Sequence, residues 1–252
     1  MITIATTLLW IFLIAFFILA VYSAKDVGFN FGEPRTELDA NHNMLFSLPV
    51  FIDNKGYHDI EAFNITTIIS DSEGFMAQGS TFIPIIERGR EIIATHNATI
   101  DLNELSQTRR FYLFNDTELQ VHAIIGMELA SVIPVQASTD FSIPWGAPLY
   151  NFTIGEIEFT VLNLTYSMAT ISVNFENHAF FDLTGSILMR MYNHTSILIS
   201  EGRTTIDALQ NMPYLGKLDL AIPITGITEN GHFEVYFSTP VFDFGPMVIT
   251  YD

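Results

Sequence analysis

The sequence contains no cysteine and few basic residues, and both shortages restrict what the protein can be. Without a thiol there is no disulfide, no thiolate chemistry and no cysteine-ligated metal ion. The 252 residues include 10 Lys and Arg against 28 Asp and Glu, which gives a formal net charge of -18. Such a surface repels nucleic acid and anionic lipid headgroups, so we expect no nucleic-acid partner.

Charged side chains are also missing from the N-terminal stretch, residues 2–24. Its length exceeds the roughly 20 apolar residues that span a bilayer. We therefore predict a transmembrane helix within residues 1–25, with residues 2–24 in contact with membrane lipid. A signal peptide cleaved after Ser23 is the alternative, but the basic residues that normally begin such a peptide are missing.

Six Asn-x-Thr triplets indicate where the rest of the chain lies. Such triplets are acceptors for N-linked glycans on the outer side of a membrane. They favour a single-pass protein of the cell membrane whose bulk is extracytoplasmic, although threonine-rich strands also produce such triplets by chance. The candidate acceptors are Asn64, Asn97, Asn115, Asn151, Asn163 and Asn193.

The chain repeats itself at an offset of 123 residues. Gly32-Glu33 returns as Gly155-Glu156, and three further landmarks return at the same spacing. We interpret these landmarks as structural turn residues, since Asn and Asp side chains hydrogen-bond to nearby backbone groups. They are Asn54, Asp59 and Gly79 in the first copy, and Asn177, Asp182 and Gly202 in the second.

Apolar and polar residues alternate before each repeated Asn, which predicts half-buried antiparallel strands. Phe46, Leu48, Val50 and Ile52 form the inward set of one copy, and Ala169, Ile171, Val173 and Phe175 that of the other. In the next strand the two copies agree only if one residue slips, so we expect a bulge. Helical periodicity is lacking after residue 25. The sequence predicts an all-β fold with two β-sandwiches, residues 26–147 and residues 148–252.

The familiar catalytic motifs are missing. There is no Gly-x-Ser-x-Gly elbow, no glycine-rich phosphate loop and no His-Glu-x-x-His motif. His58-Asp59 and His178 near Asp182 could form metal or acid–base pairs, but the histidines fall at different places in the two copies. The segment 71–74, Asp-Ser-Glu-Gly, lacks the spaced oxygen ligands of a calcium loop and indicates a turn. We predict no catalytic residue, no metal ion and no cofactor.

The turn from Asn54 to Ile60, the apolar strand that follows it and Gly79-Ser-Thr resemble the late-embryogenesis-abundant type 2 domain, also called the water-stress and hypersensitive-response domain. The second copy is similar, from Glu176 to Leu183 and at Gly202-Arg-Thr. The resemblance implies tandem immunoglobulin-like (LEA2-like) sandwiches without enzymatic activity, of a kind found in membrane-anchored archaeal surface proteins.

Four functions are compatible with these features. The favoured one is a non-enzymatic, membrane-anchored binding or scaffold protein with protein partners in a cell-surface or membrane complex. The alternatives are a subunit of a surface filament, an extracytoplasmic hydrolase and a carrier of an apolar ligand. Homo-oligomers are compatible with the first two. The partner and the biological process are not encoded in any motif.

Overall fold

A computed structural model describes residue 11, residue 15, residues 25–226 and residues 230–251. The predicted anchor, residues 2–24, lies outside the described residues except at Ile11 and Ala15. Within the described part of the chain, no helix is long and apolar enough to cross a membrane.

The described residues form an all-β structure of antiparallel sheets, which confirms the predicted fold class at this level. The strands are β1 Val27–Phe31, β2 Arg35–Leu38, β3 Met44–Asn54, β4 Ile60–Asp71, β5 Gly74–Ile86, β6 Arg90–Ile100, β7 Thr117–Leu129, β8 Ile133–Trp145, β9 Tyr150–Val161, β10 Tyr166–Asn177, β11 Leu183–Asn193, β12 Leu198–Ala208, β13 Met212–Pro223, β14 Gly231–Ser238 and β15 Asp243–Tyr251. Two short helices, α1 Leu102–Thr108 and α2 Phe111–Phe114, lie between β6 and β7, and a 3-10 turn spans Ile224–Gly226.

The chain divides into two compact units whose limits differ from the predicted ranges. The first unit comprises the described residues of Met1–Thr36 together with Leu45–Thr99 and Leu119–Ile143. The second comprises Glu37–Met44, Ile100–Glu118 and the described residues of Pro144–Asp252. The predicted range 26–147 therefore includes both helices, although they belong to the second compact unit.

The two units share one strand order. In the first, one sheet has β3 between β1 and β2 and also pairs β3 with β6, while the other has the order β5-β4-β7-β8. In the second, the orders are β13-β10-β9 and β12-β11-β14-β15. Strands β1 and β2 together correspond to β9, because residues 27–38 lie 123 positions before residues 150–161. Strands β3 and β6 correspond to β10 and β13, and β4, β5, β7 and β8 correspond to β11, β12, β14 and β15. The internal repeat in the sequence is a repeat of seven strands.

Apolar residues from both sheets form the core of the first unit. Val50 and Ile52 of β3 pack with Ile60 and Phe63 of β4 and with Leu129 of β7, and all five are buried. Burying one such side chain contributes about 1.5–3 kcal/mol. The predicted inward sets of β3 and β10 are buried as expected, with Leu48 half-buried.

The expected slip of one residue between the second strands of the two copies is present. In β4, Ala62 has a positive φ of 49°, and the pairing with β7 shifts register between Glu61 and Asn64. In β11, Gly185 has a φ of 145°. After these positions the buried residues of β4, such as Phe63, correspond to residues of β11 one place further along, such as Ile187. A bulge re-aims the side chains without changing the strand order.

The helix α1 was not predicted from the sequence. Asp101 caps it, because the Asp101 side chain accepts a hydrogen bond from the Glu104 N–H at 2.9 Å. Leu102 and Leu105, on the inner face of the helix, are buried. The pattern Asp101-x-x-Glu104 is a recognised start signal for a helix, but a helix of seven residues is too short to show a clear apolar period.

Candidate functional site

The repeated Asn of the first unit holds a turn together. Asn54 is completely buried at the end of β3. Its Nδ2 donates to the carbonyl of His58 at 3.0 Å and to that of Ile86 at 2.9 Å. Its Oδ1 accepts the N–H of Gly56 at 3.2 Å. The carboxamide therefore satisfies backbone groups that the turn leaves without strand partners.

Asn177 repeats this arrangement in the second unit. Its Nδ2 donates to the carbonyls of Phe181 at 2.9 Å and Ala208 at 3.0 Å, and its Oδ1 accepts the N–H of Ala179 at 3.1 Å. The backbone carbonyl of Asn177 accepts the N–H of Asn211 at 2.6 Å. In the first unit the backbone carbonyl of Asn54 accepts the N–H of Gly89 in the same way. Both Asn side chains are thus committed to backbone hydrogen bonds.

The repeated Asp residues also bind backbone. Asp59 accepts the N–H of Arg88 at 2.8 Å, and Asp182 accepts the N–H of Gln210 at 2.8 Å. Each carboxylate thus lies before the second strand of its copy and holds a more distant turn, the β5–β6 turn in the first unit and the β12–β13 turn in the second. The alternative of an acid–base pair between His178 and Asp182 does not match these contacts, because both ring nitrogens of His178 are held by other carboxylates.

The repeated Gly residues lie where two strands approach closely. A Cβ on Gly79 would collide with the backbone carbonyl oxygen of Asn97, and one on Gly202 would collide with that of Asp219. Glycine is required at these positions for space and not for a positive φ, since neither has one. The contact joins β5 to β6 in the first unit and β12 to β13 in the second.

His178 is the centre of a polar cluster in the second unit. Its Nδ1 lies 2.8 Å from Asp116 Oδ2 and its Nε2 lies 3.0 Å from Glu176 Oε2. The ring of Tyr150 stacks on the imidazole, with 4.3 Å between centroids. The chain before β9 is fastened to the same place, because Asp116 Oδ1 accepts the N–H of Ala147 at 2.8 Å.

Two carboxylates on opposite sides of one imidazole favour its protonated form. Partial burial opposes the positive charge, but the hydrogen bonds to Asp116 and Glu176 outweigh it and raise the pKa of His178. A ring with both nitrogens occupied has no lone pair left for a metal ion or a substrate proton. The arrangement favours a protonated imidazole. It also holds the segment 144–150 against the second unit, through Ala147 and Tyr150; we call this arrangement the His178 clamp.

Replacing His178 with glutamine should lower the free energy of unfolding of the second unit by about 1 kcal/mol near pH 5.5, the upper range for exposed ion pairs. Because the folded state raises the pKa of His178, its contribution is complete below the ordinary value of 6.5 and is lost as the pH rises through the raised pKa. The loss should therefore shrink near pH 8.5. Urea unfolding followed by Trp145 fluorescence measures it.

The matched control is His194, an exposed histidine in a turn of the same unit. His194→Gln should leave the unfolding free energy unchanged at both pH values. A loss for His178→Gln that is equal at the two pH values would contradict the clamp.

A buried histidine lies in the first unit. His96 is completely buried, and its ring nitrogens contact the hydroxyls of Thr67 at 2.8 Å and Thr81 at 2.9 Å. Burial lowers the pKa of His96, so the ring is held neutral. One nitrogen then donates and the other accepts, which the two hydroxyls satisfy. The group has no access to a substrate and is a polar crosslink among β4, β5 and β6.

Among the residues that the structure describes, no three His, Asp or Glu side chains are arranged to hold a metal ion. A cleft of about 610 Å³ opens beside α1 and the β14–β15 hairpin of the second unit. Its lining includes Arg110, whose guanidinium lies 5.5 Å above the ring of Phe244, and the carboxylate of Asp243. One cation and one anion give this open cleft no clear preference for a charged ligand.

The six candidate glycan acceptors occupy different environments. Four are exposed, namely Asn97, Asn115, Asn151 and Asn163, while Asn64 and Asn193 are half-buried. The Nδ2 of Asn64, the atom that would carry a glycan, donates to the carbonyl of Ala62 at 3.0 Å. The Nδ2 of Asn115 makes a similar bond to the carbonyl of Phe111 at 3.1 Å, but Asn115 is exposed. Asn64 combines this contact with partial burial and is poorly suited as an acceptor, whereas Asn97, whose Oδ1 accepts the hydroxyl of Ser47, is better placed.

Sequence reasoning did not find the partners of His178. Asp116 and Tyr150 belong to segments that carry no repeat landmark, and 62 positions separate His178 from Asp116. The one available signal was position 178 itself, which follows the repeated Asn177. A histidine beside a repeated turn is too common a feature to predict two carboxylate partners.

No protein-family model matches the sequence, and no curated protein does. Among solved structures, the ApaA protein of Bordetella pertussis has 16% identity and a TM-score of 0.31, covering 47% of this chain and 92% of its own. Red sea bream transglutaminase has 12% identity and a TM-score of 0.32, covering 90% and 31%. The periplasmic chaperone SfaE has 11% identity and a TM-score of 0.29, covering 89% and 99%. Scores this low carry no argument about function.

Proposed function

We propose that the chain is a non-enzymatic, membrane-anchored, extracytoplasmic binding or scaffold protein, an accessory subunit of a cell-surface or membrane assembly. Residues 2–24 form its single transmembrane anchor. Two tandem immunoglobulin-like, LEA2-like sandwiches follow and hold a protein partner.

The repeated seven-strand order is the observation that carries this proposal. The repeated Asn and Asp side chains hydrogen-bond to backbone groups, which supports a structural role for them and a scaffold role for the duplicated unit. Asn54 and Asn177 bind turn backbone, and Asp59 and Asp182 bind the backbone of the β5–β6 and β12–β13 turns. An antiparallel sheet also offers outer strands to which a partner can add.

The charge pattern supports an extracytoplasmic site. Charge is missing from residues 2–24, whereas the rest of the chain carries the whole excess of acidic residues. The candidate acceptors Asn97, Asn115 and Asn151 have exposed side chains, as N-glycosylation requires. Without cysteine, each unit depends on its apolar core and its sheet hydrogen bonds for stability.

The test is extraction of the full chain in mild detergent, followed by native mass measurement and identification of proteins that purify with it. We expect a reproducible complex with at least one different protein in fixed proportion. The control is an unrelated single-pass membrane protein extracted in the same way, since proteins that purify equally well with both chains bind non-specifically. A lone monomer would contradict the proposal, and a ladder of homomers would replace it with the surface filament.

A further inference from the structure

Three chain segments meet at one end of the second unit, which we call the uncharged tip. They are the β9–β10 turn at 161–166, the β11–β12 turn at 193–198 and the chain at 223–226 that follows β13. Tyr166 pairs with Pro223, and the Ile224 N–H donates to the carbonyl of Thr165 at 2.9 Å. The hydroxyl of Ser200 donates to the Ala221 carbonyl at 2.8 Å, which ties β12 to the end of β13.

Large apolar side chains protrude from this tip. Leu164 is 100% exposed, Val161 is 75% exposed and Ile197 is 62% exposed. Four more of its apolar or aromatic side chains are exposed to a smaller degree, namely Leu162, Tyr166, Leu198 and Ile224. Clusters of this kind on a protein surface mark a contact with another apolar surface.

The tip carries no charge in a strongly acidic chain. Residues 159–175, 191–200 and 220–226 contain no Asp, Glu, Lys or Arg, although the chain as a whole has 28 acidic residues. The next acidic residue after the third segment, Glu229, lies outside the described residues. Long uncharged stretches at three neighbouring segments are unexpected for a surface that only has to stay in water.

The first unit shows that the fold does not require uncharged residues at this end. Its β4–β5 turn corresponds to the β11–β12 turn and carries Asp71 and Glu73. The Asp71 carboxylate accepts the N–H groups of Glu73 and Gly74 at 2.8 and 3.0 Å. In the second unit the same capping role belongs to the neutral side chain of Asn193. Charge is thus compatible with this turn and is missing from only one copy.

The backbone of the tip is hydrogen-bonded within itself. Asn163 Oδ1 accepts the N–H groups of Thr165 and Tyr166 at 2.8 and 2.9 Å. Asn193 Oδ1 accepts those of Thr195 and Ile197 at 3.0 and 2.9 Å. An unsatisfied backbone group is costly in an apolar medium, so a tip that leaves water needs these internal bonds.

Amphipathic aromatic residues lie just behind the tip. The ring of Tyr192 stacks on His232, with centroids 4.9 Å apart, and the hydroxyl of Tyr251 donates to the Tyr192 carbonyl at 2.9 Å. Tyr166 is in the tip itself. Tyrosine is enriched at the boundary between hydrocarbon and water because its ring is apolar and its hydroxyl is polar.

We propose that the uncharged tip of the second unit inserts shallowly into the interfacial region of a lipid bilayer composed of zwitterionic lipids. The tip projects apolar side chains from three adjacent segments, and the amphipathic aromatic residues Tyr192 and Tyr251 lie next to it, where lipid headgroups would be. The acidic body repels anionic headgroups, which selects neutral lipid. The inference rests on the second unit alone and does not depend on the anchor.

The absence of cysteine allows a direct test. In the full chain, Leu164→Cys labelled with an environment-sensitive fluorophore should shift to the blue with phosphatidylcholine vesicles. Nitroxides on the lipid chains should quench it several-fold. The control is Leu209→Cys, which lies 54% exposed in the β12–β13 turn at the opposite end of the same unit. It should be neither shifted nor quenched.

A second variant separates the bilayer from a protein partner. Adding Ile197→Glu to Leu164→Cys should reduce the quenching several-fold, because a charge then enters the tip. Equal signals at positions 164 and 209 would overturn the proposal. A blue shift that grows with protein density but is not quenched by lipid nitroxides would assign the tip to contact between chains and would overturn it as well. A labelled Val161→Cys chain serves as a second probe of the same insertion. A glycan at Asn163 would also contradict insertion.

Discussion

Replacing Asn177 with alanine should lower the free energy of unfolding of the second unit by about 3 kcal/mol. The substitution leaves the carbonyls of Phe181 and Ala208 and the N–H of Ala179 without their side-chain partner in a buried place. Each buried polar group left without a partner costs about 1–3 kcal/mol, and some of the loss is recovered by relaxation or by water.

Trp145 provides the measurement, because it is buried in the second unit and its indole N–H donates to the carbonyl of Tyr112 at 2.8 Å. Urea unfolding followed by its fluorescence should show a lower midpoint for Asn177→Ala. Asn174→Ala is the matched control, since Asn174 lies on the same strand and faces outward, so it should cost less than about 0.5 kcal/mol. Equal effects of the two changes would contradict the structural role of Asn177.

Replacing Gly79 with alanine should destabilise the first unit by about 3 kcal/mol. The new methyl group would overlap the Asn97 carbonyl oxygen and lie too close to Ala98. Both residues belong to β6, which is held in place by its pairing with β3. Overpacking of this kind costs about 1–3 kcal/mol, and the upper value applies because backbone cannot rotate away as a side chain does.

Hydrogen exchange of the β6 amides, followed by mass spectrometry, measures that loss in the first unit alone. Gly28→Ala is the control, because Gly28 also lies in a strand but a Cβ there would make only an ordinary contact, 3.7 Å from Asp53 Cβ. Comparable exchange rates in the two variants would show that the close approach at Gly79 does not restrict the fold.

The sequence predicted the strands and the turn residues because these depend on local patterns. Alternation identified the inward residues of β3 and β10, such as Val50 and Val173, and both are fully buried. The spacing of Asn54 and Asn177 indicated a duplicated turn before any pairing was visible. Such features depend on neighbours within a few residues, or on repetition of the chain itself.

Features that depend on distant partners could not be predicted. The division of the chain assigns residues 100–118 to the second unit, because folding and not sequence order decides which core receives Leu102 and Leu105. The clamp on His178 requires Asp116, which no local pattern connects to it. The uncharged tip was invisible for the same reason, since its three segments are adjacent only after the strands pair.

In the proposed arrangement, one membrane segment holds the two β-units on the outer side of the cell. Single cysteines can be placed without background labelling in this cysteine-free chain, at Ser72 in the first unit, at Lys217 in the second and at Thr3, at the N-terminal end of the predicted anchor. On intact cells, a maleimide that cannot cross membranes should label Ser72→Cys and Lys217→Cys, and should label Thr3→Cys only after permeabilisation. Protection of Ser72→Cys and Lys217→Cys until the cells are permeabilised would contradict an extracytoplasmic location of the two units.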